Sequence, residues 1–172
     1  MMCQKNAVTG FCVFVFLAAG SLAQAGTPDR RGKQQDKQFL RTIAIADMTE
    51  AHAGEMAQST AAGTPVKDLG QTIAKDETEE YEQLTVLANK AGENIPKGID
   101  ARKSPAIRAL MNRKGGDFDR DFLRYAIADE HRVIAAFQRE AAHGDNPEIK
   151  AWAGKIVAAR QQELQKAKSL AR

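Results

Sequence analysis

The sequence predicts an all-α fold, a bundle of four long helices. Three observations predict it. No stretch alternates as a strand would, and apolar residues recur at spacings of 3 and 4 over four long segments. Each of those segments is also bounded by helix-start and helix-stop residues.

The chain opens on a segment that reads as a leader rather than as fold. Lys5 supplies a short positive start, Phe11 to Ala19 (FCVFVFLAA) an apolar centre, and Ala23-Gln24-Ala25 the small residues of a cleavage site. This is the pattern of a secretory signal over 1–25. The apolar run of 9 residues falls short of the roughly 20 that a membrane-spanning helix needs. The mature chain is therefore expected to be exported, periplasmic or secreted, with no integral membrane segment. Residues 26–35, with Arg30, Arg31 and Lys33, read as a disordered polar leader.

The domain proper is expected over 36–172. Asp36 is the predicted cap of a first helix over about 37–62, stopped by Gly63. Thr64 and Pro65 then give a cap and a first-turn proline for a second helix over 65–91, with Gly92 as its stop. Ser104 and Pro105 open a short helix over about 105–113. Gly115-Gly116-Asp117 precedes a long helix over 117–143, and Asn146-Pro147 starts the last, over 147–171, with Glu148 in its first turn where the helix dipole favours an acid. The four long segments carry amphipathic stripes, which call for a bundle.

Loop lengths constrain the topology. The first two long helices are joined by about three residues, and so are the last two, so each pair is antiparallel. The connection between the pairs runs from Gly92 to Gly116 and holds the short helix. It is long enough to return along a helix of about 35–40 Å. Such a crossover is the ferritin-like connection, with the second and third long helices parallel. The alternative is an up-down-up-down bundle with a decorated loop.

Composition excludes several functions. Both cysteines, Cys3 and Cys12, lie in the leader, so the mature chain has no disulfide, thiolate ligand or cysteine nucleophile. The 25 basic residues less Lys5, against 22 acidic, leave +2, too balanced for a nucleic-acid binder. Ser59, Ser104 and Ser169 have no base-and-acid pattern near them, and neither Gly63-Thr64-Pro65 nor the glycines at 115–116 follow a strand as a phosphate loop would. The sequence names no protein partner and no oligomeric state.

The apolar stripes carry the chemistry. The first reads Phe39, Ile43, Ala46, Glu50, Gly54, Ala57, Ala61; the second Val66, Leu69, Ile73, Glu77, Glu80, Leu84, Leu87. The third reads Leu123, Ile127, His131, Ile134, broadened by Phe118, Phe122 and Ala126; the fourth reads Ile149, Trp152, Ile156, Arg160, Glu163, Ala167, Leu170. A carboxylate on a buried stripe needs a partner. Glu50, Glu77, His131 and Glu163, one per helix, form a candidate metal site of the kind bundles build from facing helices. Asp76, Glu80, Asp129 and Arg160 are its candidate outer shell.

Carboxylate and imidazole donors suit iron, manganese or zinc. A ferritin-type di-iron site takes Glu-x-x-His from two helices. The stripes offer no such pair, which weighs against a full di-iron oxidase and leaves a metal-dependent oxidoreductase as the minority reading. The competing reading is a metal-free structural or interaction module whose core acids are neutralised by Arg160, one turn before Glu163.

The chain resembles the bacterial exported ferritin-like family known as domain of unknown function 4142. The resemblance spans about Asp36 to Ala171. It rests on DKQFL near the start, EAHAGEMA (Glu50–Ala57), AKDETEEYEQLTVLANKAG (Ala74–Gly92), Ile95-Pro96, FDRDFL (Phe118–Leu123), DEHRVIAAF (Asp129–Phe137) and GDNPEIKAWA (Gly144–Ala153). It implies export and a ferritin-like fold. It also implies an acid at Glu50 and histidines after Asp76, at His131 and near Glu163. This chain keeps Glu50 and His131 and has Glu77 and Glu163 at the other two positions, a harder and more anionic ligand set.

Overall fold

The computed structural model describes residues 30–100 and 103–172; the predicted signal segment and residues 26–29 lie outside them. Among the described residues five helices form: α1 (Arg30–Thr60), α2 (Thr64–Lys90), α3 (Pro105–Met111), α4 (Gly115–His143) and α5 (Pro147–Leu170). No helix is long and apolar enough to cross a membrane, among the described residues. The main packing partners are α1 with α2 and α4, and α5 with α4 and α2, while the short α3 rests on α1 and α4.

Two carboxylates fix the ends. At one end Asp119 of α4 accepts hydrogen bonds from Ala62 N (2.9 Å) and Gly63 N (2.8 Å), so a neighbouring helix supplies the cap for the α1–α2 turn. Gly63 is the N-cap residue of α2 and has no side chain to cap with, whereas the sequence assigns that role to Thr64. At the other end Asp36 accepts from Asp145 N and Asn146 N, both at 2.8 Å, which holds the start of α1 on the α4–α5 turn. The end of α1 thus meets the start of α4, and the start of α1 meets the end of α4. Because α2 starts where α1 ends, α2 and α4 run in the same direction. The connection from α2 to α4 holds the short helix α3. Tyr81 Oη donates to Pro96 O (2.8 Å), pinning that connection to α2.

One expectation is corrected here. Residues 30–35 belong to α1 and are not a disordered leader, and Asp36 lies six residues inside the helix instead of capping it. The cause is tertiary. Gln35 Nε2 donates to Arg139 O and to Glu140 Oε2, each at 3.2 Å, and Gly32 lies against Asp145, so the first turns of α1 have partners on α4 and its loop. The Glu140 carboxyl is raised to about 7, by burial first and then by its hydrogen bond with Asp36.

The other ends follow local chemistry. Ser104 Oγ accepts from Ile107 N, and Asn146 Oδ1 accepts from Glu148 N and Ile149 N. Gly92 and Gly115 take positive φ at the stop of α2 and the start of α4.

The core has two apolar parts. One, at the α1–α2 turn end, gathers Ala57, Leu69, Ile73, Ile107, Leu110, Phe118 and Phe122. The other, at the Asp36 end, gathers Phe39, Leu40, Ile43, Leu84, Val133, Phe137 and Ile149. Phe39, Phe137 and Trp152 meet there edge-on or tilted, and Trp152 Nε1 donates to Gln83 Oε1 at the surface.

Gly54 and Gly70 let α1 and α2 approach closely. A Cβ at Gly70 would lie 2.5 Å from Ala57 Cβ, and one at Gly54 would lie 2.5 Å from Gly70 O. Replacing Gly70 by Val should destabilise the fold by about 1–3 kcal/mol or more, because backbone on both sides resists the extra volume. Urea titration of the mature protein checks this. A Gly116→Ala control, at a site where a Cβ meets nothing within 4 Å, should shift the midpoint far less.

Candidate functional site: a carboxylate cage around Arg160

Between the two apolar parts each long helix contributes acid or base to one polar layer. On α1, Asp47 and Glu50 fall between Ala46 and Ala53; on α2, Glu77 and Glu80 fall between Ile73 and Leu84. On α4, Glu130 falls between Ala126 and Val133, and on α5, Arg160 falls between Ala153 and Leu164. All six are buried; Asp47 is 0% exposed and Arg160, the largest fully buried side chain, 2%.

Arg160 sits at the centre. Its Nη1 donates to Glu50 Oε2 (2.9 Å), to Glu77 Oε1 and to Glu130 Oε1 (3.4 Å). Its Nη2 donates to Asp47 Oδ1 (3.2 Å), Glu77 Oε2 (2.5 Å) and Glu80 Oε1 (2.6 Å). Glu77 is therefore held bidentately, and the guanidinium also lies 5.8 Å from the Phe137 ring centroid. Two carboxylate triads have oxygens close enough together to grip a cation: Glu50, Glu77, Glu130 and Asp47, Glu77, Glu80. Each guanidinium Nη stands in one of them, and Glu77 bridges the two.

The charges do not balance. Five carboxylates face one guanidinium, and fully ionised they would leave four buried negative charges uncompensated. Burial dominates the response. It raises Asp47, Glu50 and Glu77 well above the carboxylate range and raises Glu80 as well, with Arg160 pulling the other way on all four. Glu130 is pushed up to about 8, by burial first, against the pull of Arg160. Burial alone would lower Arg160; Glu77, Glu50, Glu80 and Glu130 outweigh it and hold the guanidinium charged. Near neutral pH the cage therefore stores protons. Asp47 Oδ2, Glu130 Oε2 and Arg160 Nε are buried without a hydrogen-bond partner.

The predicted site residues divide. The fold brings Glu50 and Glu77 together, with Glu80 and Arg160 in direct contact with them and not in an outer shell. Glu163 is half-buried at the edge. It lines a cleft of about 260 Å³ with Asp76, Glu77, Glu80 and Arg160, and its Oε1 is buried without a partner. Its carboxyl is raised, by burial first. Asp76 is exposed at the mouth of that cleft. Asp129 is buried beside Glu50 and paired with Arg132.

His131 is a correction: it is exposed, in a groove with Gln161, Gln165 and Lys168, and takes no part in the cage. The buried row of α4 runs through Phe118, Phe122, Ala126, Glu130, Val133 and Phe137, one position off the row through Ile127 and His131. Following the aromatic residues at intervals of four from Phe118 would have reached Glu130. Asp47 is the other residue the sequence reading passes over, although it precedes Glu50 by three as Glu77 precedes Glu80. The chain holds one Glu-x-x-His spacing, Glu140 to His143; it lies at the end of α4, away from the cage, with His143 exposed.

The chain belongs to the family described as Domain of unknown function (DUF4142), whose family model matches residues 21–170. No curated protein matches it. Among solved structures it is similar to CopM in the Cu(II)-bound form, with a TM-score of 0.64 and 20% identity over 79% of this chain and 96% of that one. It is also similar to a DUF305 fragment from Deinococcus radiodurans, with a TM-score of 0.71 and 16% identity over 81% of this chain and 97% of that one. A third is a conserved hypothetical protein, rv2844, from Mycobacterium tuberculosis, with a TM-score of 0.61 and 11% identity over 80% and 91%. These likenesses show the all-α fold.

The cage makes stability fall as pH rises. Glu130 holds its proton to about pH 8 in the folded state, whereas in the unfolded chain it releases it near its ordinary value of 4.5. Between those values the folded state binds more protons, so stability drops by about 1.4 kcal/mol per pH unit for each such group. Chemical denaturation from pH 5 to 8 should show the decline, and Glu130→Gln should flatten it.

Proposed function

We propose that the chain is an exported, ferritin-like four-helix-bundle protein of the cell envelope, a binding or structural module without a reaction of its own. In this reading its core acids are neutralised by Arg160 and by protons instead of a metal ion. One observation carries the reading: the guanidinium of Arg160 spans both carboxylate triads, at the positions where cations would sit. The leader over 1–25 supports export, and the shared direction of α2 and α4 supports the ferritin-like crossover.

A second reading has its own support. The surplus of carboxylates and the unpartnered oxygens of Asp47 and Glu130 suit a bound cation, and CopM is described in copper- and silver-bound forms. In that reading Glu50, Glu77, Glu130, Asp47 and Glu80 would hold the ion once Arg160 swung aside. An all-oxygen donor set favours a hard ion such as manganese over copper or silver, with iron or zinc as further occupants.

Melting of the mature protein with and without Mn(II), Zn(II) or Fe(II), together with elemental analysis of protein purified from its native compartment without chelator, separates the two. We expect no stoichiometric metal and an unchanged melting temperature for the wild type. Arg160→Ala should lose about 3–5 kcal/mol at neutral pH, since it leaves buried carboxylates unpaired, and should regain stability on acidification or on addition of Mn(II). Stoichiometric metal in the wild type, lost in Glu77→Gln, would overturn the metal-free reading in favour of the second.

A further inference from the structure

A cleft of about 420 Å³ opens on the α1–α2 side of the cage. Asp47 and Glu77 line it, and so reach from the cage to this cleft; Tyr81 and Ile99 line it too. Met48, His52 and Glu55 of α1 also line it. Their spacing, four residues and then three, puts a thioether, an imidazole and a carboxylate on one face of one helix. Outside the leader the chain has three methionines and three histidines. Met48, His52 and Met56 fall within nine residues on α1. Met56 packs against the apolar core, which leaves Met48 and His52 to the cleft.

We propose that Met48 and His52, with Glu55 as a third ligand, form a binding site for a soft monovalent metal ion, Cu(I) or Ag(I), at the rim of this cleft. The donors fit the ion. A thioether and a neutral imidazole suit a soft ion with a low coordination number, and neither is offered by the all-oxygen cage. The ligands are accessible, since Met48 and His52 are half-buried and Glu55 is exposed. His52 Nδ1 lies 3.7 Å from Glu55 Oε2, so the carboxylate is already beside the ring.

The proposal goes beyond the metal-free reading of the core and leaves it intact, because it uses none of the ligands of Arg160.

The test is titration of the mature wild-type protein with Ag(I), and with Cu(I) under reducing conditions against a chromogenic Cu(I) chelator, followed by the methionine methyl signals in NMR. One equivalent of Ag(I) should shift the Met48 methyl and the His52 ring signals and leave Met111 in place. The Met48→Leu/His52→Ala variant should weaken binding at least tenfold while keeping the wild-type melting temperature. Unchanged affinity in that variant, a Met48 methyl that does not move at one equivalent, or no competition with the chelator would overturn the proposal. The Mn(II), Zn(II) and Fe(II) melting experiment reads the cage separately, so failure of one reading does not disguise failure of the other.

Discussion

The structure depends on one buried guanidinium. Arg160 has carboxylates from α1, α2 and α4 around it, and each of those helices must present its acids at the height where α5 presents the arginine. A shift of one residue along any helix would leave a charge in the apolar core, at a cost of several kcal/mol. The cage thus sets the register of all four long helices at once, which apolar contacts alone do more loosely. Leu40, Ile43 and Phe137 on one side and Leu69, Phe118 and Phe122 on the other cover it along the bundle axis. Burial is also the reason its acids hold protons above the usual carboxylate range.

The ends of the bundle repeat the device at smaller scale. Asp119 and Asp36 each accept two backbone N–H bonds from a turn that belongs to other helices. Each satisfies donors that the turn cannot satisfy locally. Together they join the two antiparallel pairs α1–α2 and α4–α5, since both contacts run between the pairs. In the long connection between the pairs, Pro96 is bonded to Tyr81 of α2, and α3 buries Ile107 and Leu110.

Two chemistries of cation lie close together in this molecule. The interior offers hard oxygen donors and already contains its own cation. The α1–α2 cleft is lined by sulfur and nitrogen donors, Met48 and His52. The comparisons bear on the fold: the solved structures share helical architecture with this chain at identities of 20% or less. This chain's own side chains put Arg160 in the core and Met48 and His52 on the cleft.

The sequence by itself determined the helices, their approximate ends, the long second connection and the presence of acids on buried faces. Those features are local: apolar periodicity, Gly and Pro punctuation and caps such as Ser104 and Asn146 act within a few residues. Glu50, Glu77, Glu80 and Arg160 were legible because each interrupts a strong apolar row. Only the tertiary structure decided which face of α4 is inside. Ile127-His131 and Ala126-Glu130 are rows 100° apart on the helix, and both are bordered by apolar residues, so periodicity alone does not choose between them. Packing of Phe118, Phe122 and Phe137 does, and it sends Glu130 in and His131 out. The start of α1 was equally hidden, since residues 30–35 look like a polar tail until Asp145, Arg139 and Glu140, more than a hundred positions away, supply their contacts. Long-range partners of polar groups leave no periodic trace in a sequence, and the cage is made of them.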